Sequence, residues 1–334
     1  MPEAPLAKPS FLARPGRGLV IGQFMPPHVG HVYMADFAQR YVEGISILVC
    51  SQPADPIPGA QRVAWMREMF PAARVFDGAG LALPQVGDPA AQWLEAVARH
   101  HPEAVDILFA SEAYGHRLAA GLGARFVPVD IPHATFPVTS DDIRADPYGN
   151  WRFIPGAVRA HYLRRVTLIG AESSGKSTLG RALTRHYDTI MAPEFGRFHT
   201  EAFGQNADTP EDMRQIVMGH LAGRAAAQPH ANRVLIEDTD PVLTGIWSDV
   251  LCGSRDAWFD SYADYPDLYL LCDIDIPWER DAVRYFADPA ARRRFHAACE
   301  RELAVRKAPY ILLKGGREER LAAAVAAIDA LFTA

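Results

Sequence analysis

Cysteine is scarce in this chain: four in 334 residues, with no two forming a CxxC pair. Cys50, Cys252, Cys272 and Cys299 are scattered, which argues against a disulfide framework or a zinc knuckle and fits a reducing, cytoplasmic setting. No run of about 18 apolar residues occurs, so no membrane-spanning helix is expected. The opening MPEAPLAKPSFLARPGRG lacks the apolar stretch of a signal peptide, and residues 1–16 read as a disordered lead-in. Positive charge is also in deficit, with 34 Lys+Arg against 40 Asp+Glu and a net charge of −6. That argues against a general polyanion-binding surface, so any phosphate site must be local. No internal repeat or long low-complexity tract is present; the nearest is the Ala-rich 321–331, which reads as a C-terminal helix. What remains is 49% hydrophobic and 22% charged, the balance of a soluble globular chain long enough for two domains.

Short apolar runs recur: LVIG from Leu19, ISILVC from Ile45, ARVFD from Ala73, VDILFAS from Val105 and RFVPVD from Arg125. Longer stretches of helical periodicity separate them, which reads as βαβ units and a parallel sheet. The alternation pauses between 146 and 165, where two prolines, two glycines and several aromatics suggest a connector packed by Trp151 and Phe153. It restarts with VTLIG from Val166, then VLIED from Val234, DLYLLCDID from Asp267 and YILLK from Tyr310. The expected fold class is α/β, with two Rossmann-like parallel-sheet domains over 17–150 and 165–334 joined by a linker at 151–164.

Residues 170–177 read GAESSGKS and match GxxxxGK[ST], between a strand and a helix. Gly170 and Gly175 allow close backbone approach to phosphate. The amides of Glu172, Ser173, Ser174 and the helix start at Thr178 face the anion. Lys176 reaches the β and γ phosphates of ATP, and the Ser177 hydroxyl can ligate Mg²⁺. Downstream, VLIEDTDP offers carboxylates at a strand end: Asp238 and Asp240 are both candidates to hold the Mg²⁺ shell or accept a proton, with Glu237 third. EFGR at 194–197 supplies charge and an aromatic surface through Glu194, Phe195 and Arg197. In 281–295, Arg284 is the candidate lid arginine, and the Arg292–Arg293–Arg294 run reads equally as a solvated helix face.

A second anion site is suggested by GQFMPPHVGH from Gly22. Gly22 frees the turn after the strand, Phe24 follows, and His28 and His31 lie three apart at a helix start with Gly30 keeping the surface open. Two imidazoles and helix amides make a cradle suited to a triphosphate. PVTSDDIRADP adds Thr139 and Ser140 at another helix start, with Arg144 one turn on.

GQFMPPHVGH with TSDDIR resembles the HxGH-type nucleotidyltransferases of the nicotinamide mononucleotide adenylyltransferase group. GAESSGKSTL, EFGR, EDTD and PWERDAVR resemble ribosylnicotinamide kinase. In this order the two resemble the NadR-like bifunctional family. The resemblance implies that His28, His31, Thr139 and Arg144 serve ATP during adenylyl transfer. It also implies that SEAYG at 111–115 lies near the nucleotide, and that Arg62 and Trp65 lie near the nicotinamide nucleotide. Thr139 replaces the usual Ser, and Asp141 puts a carboxylate where a small residue is usual; a basic partner or Mg²⁺ must offset it. Only about 17 residues precede the first strand, too few for the DNA-binding helix-turn-helix of some relatives, so no DNA partner and no membrane partner are expected; self-association is left open.

The implied reactions run in sequence. Ribosylnicotinamide is phosphorylated by ATP, with Glu194 and a ring such as Phe195 or Trp247 holding the cationic pyridinium. The mononucleotide then attacks a second ATP, giving NAD and pyrophosphate. A fusion enzyme with another small substrate, or a regulatory nucleotide sensor with one inactive site, are the competing readings.

Overall fold

A computed structural model describes residues 16–80, 90–203, 207–277 and 288–333. It divides into two compact units, Met1–Val158 and Arg159–Ala334.

The first unit alternates strand and helix: β1 (Arg17–Gly22), α1 (Val29–Tyr41), β2 (Gly44–Ser51), α2 (Gly59–Met69), β3 (Arg74–Ala79), α3 (Ala90–His100), β4 (Ile107–Ala110), α4 (Gly115–Leu122), β5 (Arg125–Pro128) and α5 (Ser140–Ala145). The described strands pair in parallel in the order β3-β2-β1-β4-β5. The period-two alternation within β1 sets the two layers. Val20 joins Met34, Ala38, Val63 and Met66 of α1 and α2 on one face. Leu19 and Ile21 join Trp93, Val97 and Leu118 of α3 and α4 on the other. The helices change face between β1 and β4, so the carboxyl ends of those two strands mark the topological switch point of the sheet. After α5, a 3-10 turn at Trp151–Phe153 buries Trp151, which stacks on Tyr148 at 6.4 Å. The division between units falls within α6 (Gly156–Tyr162).

The second unit contains β6 (Arg164–Ile169), α7 (Lys176–Tyr187), β7 (Met191–Ala192), α8 (Phe195–Phe203), α9 (Pro210–Ala227), β8 (Val234–Asp238), α10 (Pro241–Leu251), α11 (Ala257–Ser261), β9 (Leu268–Cys272), α12 (Pro289–Arg306), β10 (Tyr310–Leu313) and α13 (Arg317–Ala330). Its strands are also parallel, ordered β10-β9-β6-β8-β7. Val166 and Leu168 pack with α7 and α13. Ile169, Tyr269 and Leu271 pack with α10 and α12. All nine expected strands are present. The tenth, β7, pairs only two residues with β8 and has no apolar run to announce it. The pairing β6–β8, with Leu168 opposite Asp238, brings the loop after β6 beside the carboxylates after β8.

Candidate functional site

In the second unit, the loop after β6 reverses direction through three left-handed residues, Gly170 (φ 140°), Ser173 (φ 56°) and Gly175 (φ 85°). A Cβ on Gly170 would stand 2.8 Å from the Cys272 carbonyl, so glycine is required there on two counts. Lys176, at the start of α7, folds back over the loop and donates from Nζ to the carbonyls of Gly170 (3.0 Å) and Ala171 (3.1 Å). The loop therefore forms a ring of backbone around the ammonium, the arrangement that receives a phosphate chain.

A cavity of about 500 Å³ opens on one side of this loop. Its lining includes Lys176, Ser177 and Thr178, the carboxylates of Glu172, Glu194 and Asp238, and the rings of Trp247 and Phe198. A second cavity of about 340 Å³ lies on the other side, lined by Leu179, Ile276, Pro277, Arg185, Arg317 and Leu321. Burial pushes the Glu194 carboxyl upward, partly offset by the Lys176 ammonium and reinforced by the Asp238 charge. Asp238 is 2% exposed, and its Oδ1 accepts no hydrogen bond among the described residues.

The geometry separates the two aspartates that the sequence leaves level. Asp240 is the N-cap of α10: it accepts from the Val242 amide (3.0 Å), the Leu243 amide (3.2 Å) and the Tyr269 hydroxyl (2.5 Å). Its expected substrate contact is corrected, because its oxygens are committed to the fold. Phe195 is corrected as well. Its ring fills the space over Gly219 of α9, where a Cβ would come within 2.3 Å. The residue one helical turn on, Phe198, faces the cavity instead. Arg197 lines the cavity beside Phe198. In the arginine run, Arg292 is not on a solvated face; it is 7% exposed and donates to loop carbonyls. Arg284 lies outside the described residues.

In the first unit, Gly22 ends β1, and the chain turns through Phe24 (φ 50°) and a cis Met25–Pro26 peptide to reach α1. His28 caps α1. Its Nδ1 accepts the Gly30 amide at 3.2 Å, and the His31 Nδ1 accepts the His28 amide at 3.3 Å. The rings lie 3.7 Å apart with 30° between planes, and the edge-on Phe24 ring supports His31 at 4.9 Å. A Cβ on residue 30 would stand 3.0 Å from the His28 ring, which explains the glycine. Burial lowers His28 to about 4, and burial with the neighbouring His28 and His133 lowers His31 as well. Both rings are therefore neutral near pH 7. With both Nδ1 atoms accepting, each carries its proton on Nε2.

The TSDDIR segment forms α5 against this turn. Ser140 Oγ donates to the Pro26 carbonyl at 2.9 Å, and Arg144 donates to the Met25 carbonyl. Thr139 is the N-cap: its hydroxyl accepts the Asp142 amide at 3.1 Å and donates to the Asp142 carboxylate at 2.7 Å. Asp141 pairs with Arg144 at 2.5 Å, so the unusual carboxylate has its basic partner within its own helix. Arg62 is fully buried. It donates to the Gln23 carbonyl (2.6 Å), the Cys50 carbonyl (3.2 Å) and the Asp55 carboxylate, bracing the ends of β1 and β2. Trp65, 4% exposed, packs behind it in α2, and Tyr114 of the SEAYG segment stacks on Trp93 at 6.4 Å. The structure thus brings His28, His31 and Arg144 together around one turn, and puts Arg62 beneath it.

An AAA-domain family model matches residues 165–320, a span that contains the phosphate loop and the lining of the larger cavity. The trifunctional NAD biosynthesis/regulator protein NadR of Escherichia coli (strain K12) is 26% identical over 306 residues, covering 83% of this chain and 74% of that protein. Its counterpart in Salmonella typhimurium is 26% identical over 302 residues with the same coverage. The chain is homologous to NadR. Crystal structures of a NadR protein in complex with NR, and with NAD and AMP-PNP, superpose with TM-scores of 0.71 and 0.69 at 21% identity over 96% of each chain. The α/β architecture with two parallel sheets is thus shared with solved NadR proteins.

Several cavity residues carry no sequence signal. Thr239 lines the cavity with φ 82°, which a β-branched residue rarely adopts, and His220 of α9 enters it from a helix whose periodicity reads as core. Beneath them, burial raises Glu237 from its ordinary 4.5 to about 7, partly offset by Arg224 and Arg165. A carboxyl held protonated by the fold favours folding at low pH and costs stability as pH rises from 4.5 through 7, because the unfolded chain ionises first. Glu237→Gln is therefore expected to flatten a loss of up to about 3 kcal/mol across that window, read from urea midpoints at pH 5 and 7.5. For His28 the sign is opposite: the folded ring resists protonation, so stability falls as pH drops from 6.5 through 4. Ring NMR of the free protein is expected to show His28 still neutral at pH 5.5.

Proposed function

We propose that the chain is a bifunctional enzyme of NAD biosynthesis, phosphorylating ribosylnicotinamide in the second unit and adenylylating nicotinamide mononucleotide in the first. Homology to NadR supports the pathway. The observation that carries the kinase assignment is the acidic cavity beside the phosphate loop. Glu172, Glu194 and Asp238 line one 500 Å³ space together with Lys176, Trp247 and Phe198. Such a wall suits an acceptor that is cationic and aromatic and carries a free hydroxyl. The second cavity, where Leu179, Ile276, Pro277 and Leu321 meet Arg185 and Arg317, suits the base of the donor nucleotide.

The 5′-hydroxyl of the acceptor attacks the γ-phosphorus of ATP, the bond from that phosphorus to the β,γ-bridging oxygen breaks, and ADP leaves. Asp238 accepts or orients its proton, and Lys176 with the loop amides takes up the charge on the phosphoryl oxygens. Asp238 Oδ1, buried without a partner among the described residues, and the nearby Ser177 hydroxyl fit a Mg²⁺ ion. Bound there, Mg²⁺ neutralises phosphate charge. Among the described residues no cluster of three or more His, Cys, Asp or Glu is arranged for a metal, and Mg²⁺ held largely by phosphates and water needs none. In the first unit, the phosphate of the mononucleotide attacks the α-phosphorus of ATP and pyrophosphate leaves. The nucleophile is already an anion, so His28 and His31 act as Nε2–H donors to the phosphates rather than as bases.

Incubation with Mg–ATP and ribosylnicotinamide is expected to yield the mononucleotide and then NAD. Lys176→Ala should lower mononucleotide formation by about a hundredfold or more while added mononucleotide still becomes NAD, and His31→Ala should do the reverse. Equal loss of both reactions in Lys176→Ala would sink the two-site assignment. Because Glu194 is pushed upward, it protonates as pH falls, so affinity for the cationic riboside should weaken toward pH 5 in the wild type. Glu194→Gln should bind weakly and without that pH dependence, measured by titration calorimetry.

A further inference from the structure

The peptide carbonyls of the phosphate loop are held from outside by two arginines that come from opposite faces of the sheet. Arg292 of α12 donates from Nε to the Glu172 carbonyl at 3.2 Å and from a terminal nitrogen to the Ser173 carbonyl at 3.1 Å. Its other terminal nitrogen reaches the Ile276 carbonyl at 3.1 Å. Arg320 of α13 donates to the Ser174 carbonyl at 2.6 Å, the Gly315 carbonyl at 2.9 Å and the Asp273 carbonyl at 3.0 Å, and it pairs with Asp275. Both are buried, at 7% and 4% exposure. Burying a guanidinium is costly, and here its donors go to backbone oxygens of a loop rather than to the surface.

A trans peptide points its N–H opposite to its C=O. Turning the carbonyls of 172, 173 and 174 toward the arginines therefore turns the amides of 173, 174 and 175 the other way, toward the ring around Lys176. The same stretch carries two left-handed residues, Ser173 at φ 56° and Gly175 at φ 85°. Three successive oriented amides make an anion nest, and the arginines add positive charge behind it.

We propose that Arg292 and Arg320 are positioning residues for the phosphoryl donor, which fix the amide cradle without touching the nucleotide. Neither is a lid arginine on this view. The inference rests on the reading of residues 170–177 as a phosphate loop, so its test carries a control for that reading.

Mg–ADP and AMP are titrated calorimetrically into the full-length wild type and variants, taking the component of binding lost in Lys176→Ala. In Arg292→Gln and Arg320→Gln, that component for ADP should weaken about ten- to a hundredfold, the worth of a charge-assisted hydrogen-bond set, while AMP changes little. Arg292→Lys, which keeps the charge but lacks the planar fork that reaches the carbonyls of Glu172, Ser173 and Ile276 together, should fall between wild type and Arg292→Gln. If Arg320→Gln does not fold, the two Arg292 variants decide. Wild-type preference for ADP over AMP in the Arg292 variants overturns the proposal, as does an equal loss for ADP and AMP, which marks a merely structural role. Should the wild type have no Lys176-dependent binding, it is the phosphate-loop reading itself that fails.

Discussion

A peptide group that offers its N–H to an anion must send its C=O somewhere else, and a buried carbonyl needs a donor. Both turns after a first strand obey this constraint. In the second unit, Lys176, Arg292 and Arg320 take the carbonyls from Gly170 to Ser174. In the first, Arg62, Arg144 and Ser140 take those of Gln23, Met25 and Pro26. Five cations of a net acidic chain, Lys176, Arg292, Arg320, Arg62 and Arg144, are thus placed behind the backbone of these two turns. Local anion affinity and a charge of −6 are compatible for that reason.

The same placement explains why acidic and phosphate-binding groups share one cavity. Lys176 and the loop amides dominate at the mouth of α7, whereas Glu194 and Asp238 lie where β8 ends, one strand away. Burial pushes the Glu194 carboxyl up, the Lys176 ammonium opposes this and the Asp238 charge adds to it. A cationic ligand beside Glu194 would oppose the effect of burial and favour the ionised carboxylate. In the first unit the solution differs. Burial keeps His28 neutral, and the two rings offer N–H donors in place of charge.

Strands and phosphate loop were legible because their signals are local. Apolar runs mark β1 to β6 and β8 to β10, and GAESSGKS encodes its own left-handed turns through Gly170 and Gly175. The HxGH frame was legible as a pattern, but the tautomer it imposes depends on hydrogen bonds that only the folded turn makes. Side chains that act through tertiary contacts were not legible. Asp238 and Asp240 are two apart on one turn, and only the N-cap geometry with Tyr269 separates them. Phe195 and Phe198 differ by less than one helical turn, yet Gly219 admits one and leaves the other facing the cavity. Arg292 looked like its exposed neighbours, and Arg320 stands alone ahead of an Ala-rich stretch; their partners lie about 120 and 146 residues away.

On the proposed reading, the two units also differ in what chemistry asks of their side chains. A hydroxyl nucleophile must lose a proton, so the kinase site needs an acceptor. Asp238 suits the task as a buried carboxylate at the end of β8 that lines the same cavity as the phosphate loop. Once the phosphate is attached, the next nucleophile is an anion and needs only alignment and charge relief. The first unit's turn provides that with neutral donors and Arg144. The Asp141 pair shields part of Arg144's charge, but the guanidinium also holds the Met25 carbonyl, so it keeps the turn in shape whether or not a phosphate is near. The carboxylate then acts less as a defect in the cradle than as the partner that fixes where Arg144 points, in the same way that Asp275 fixes Arg320 under the other loop.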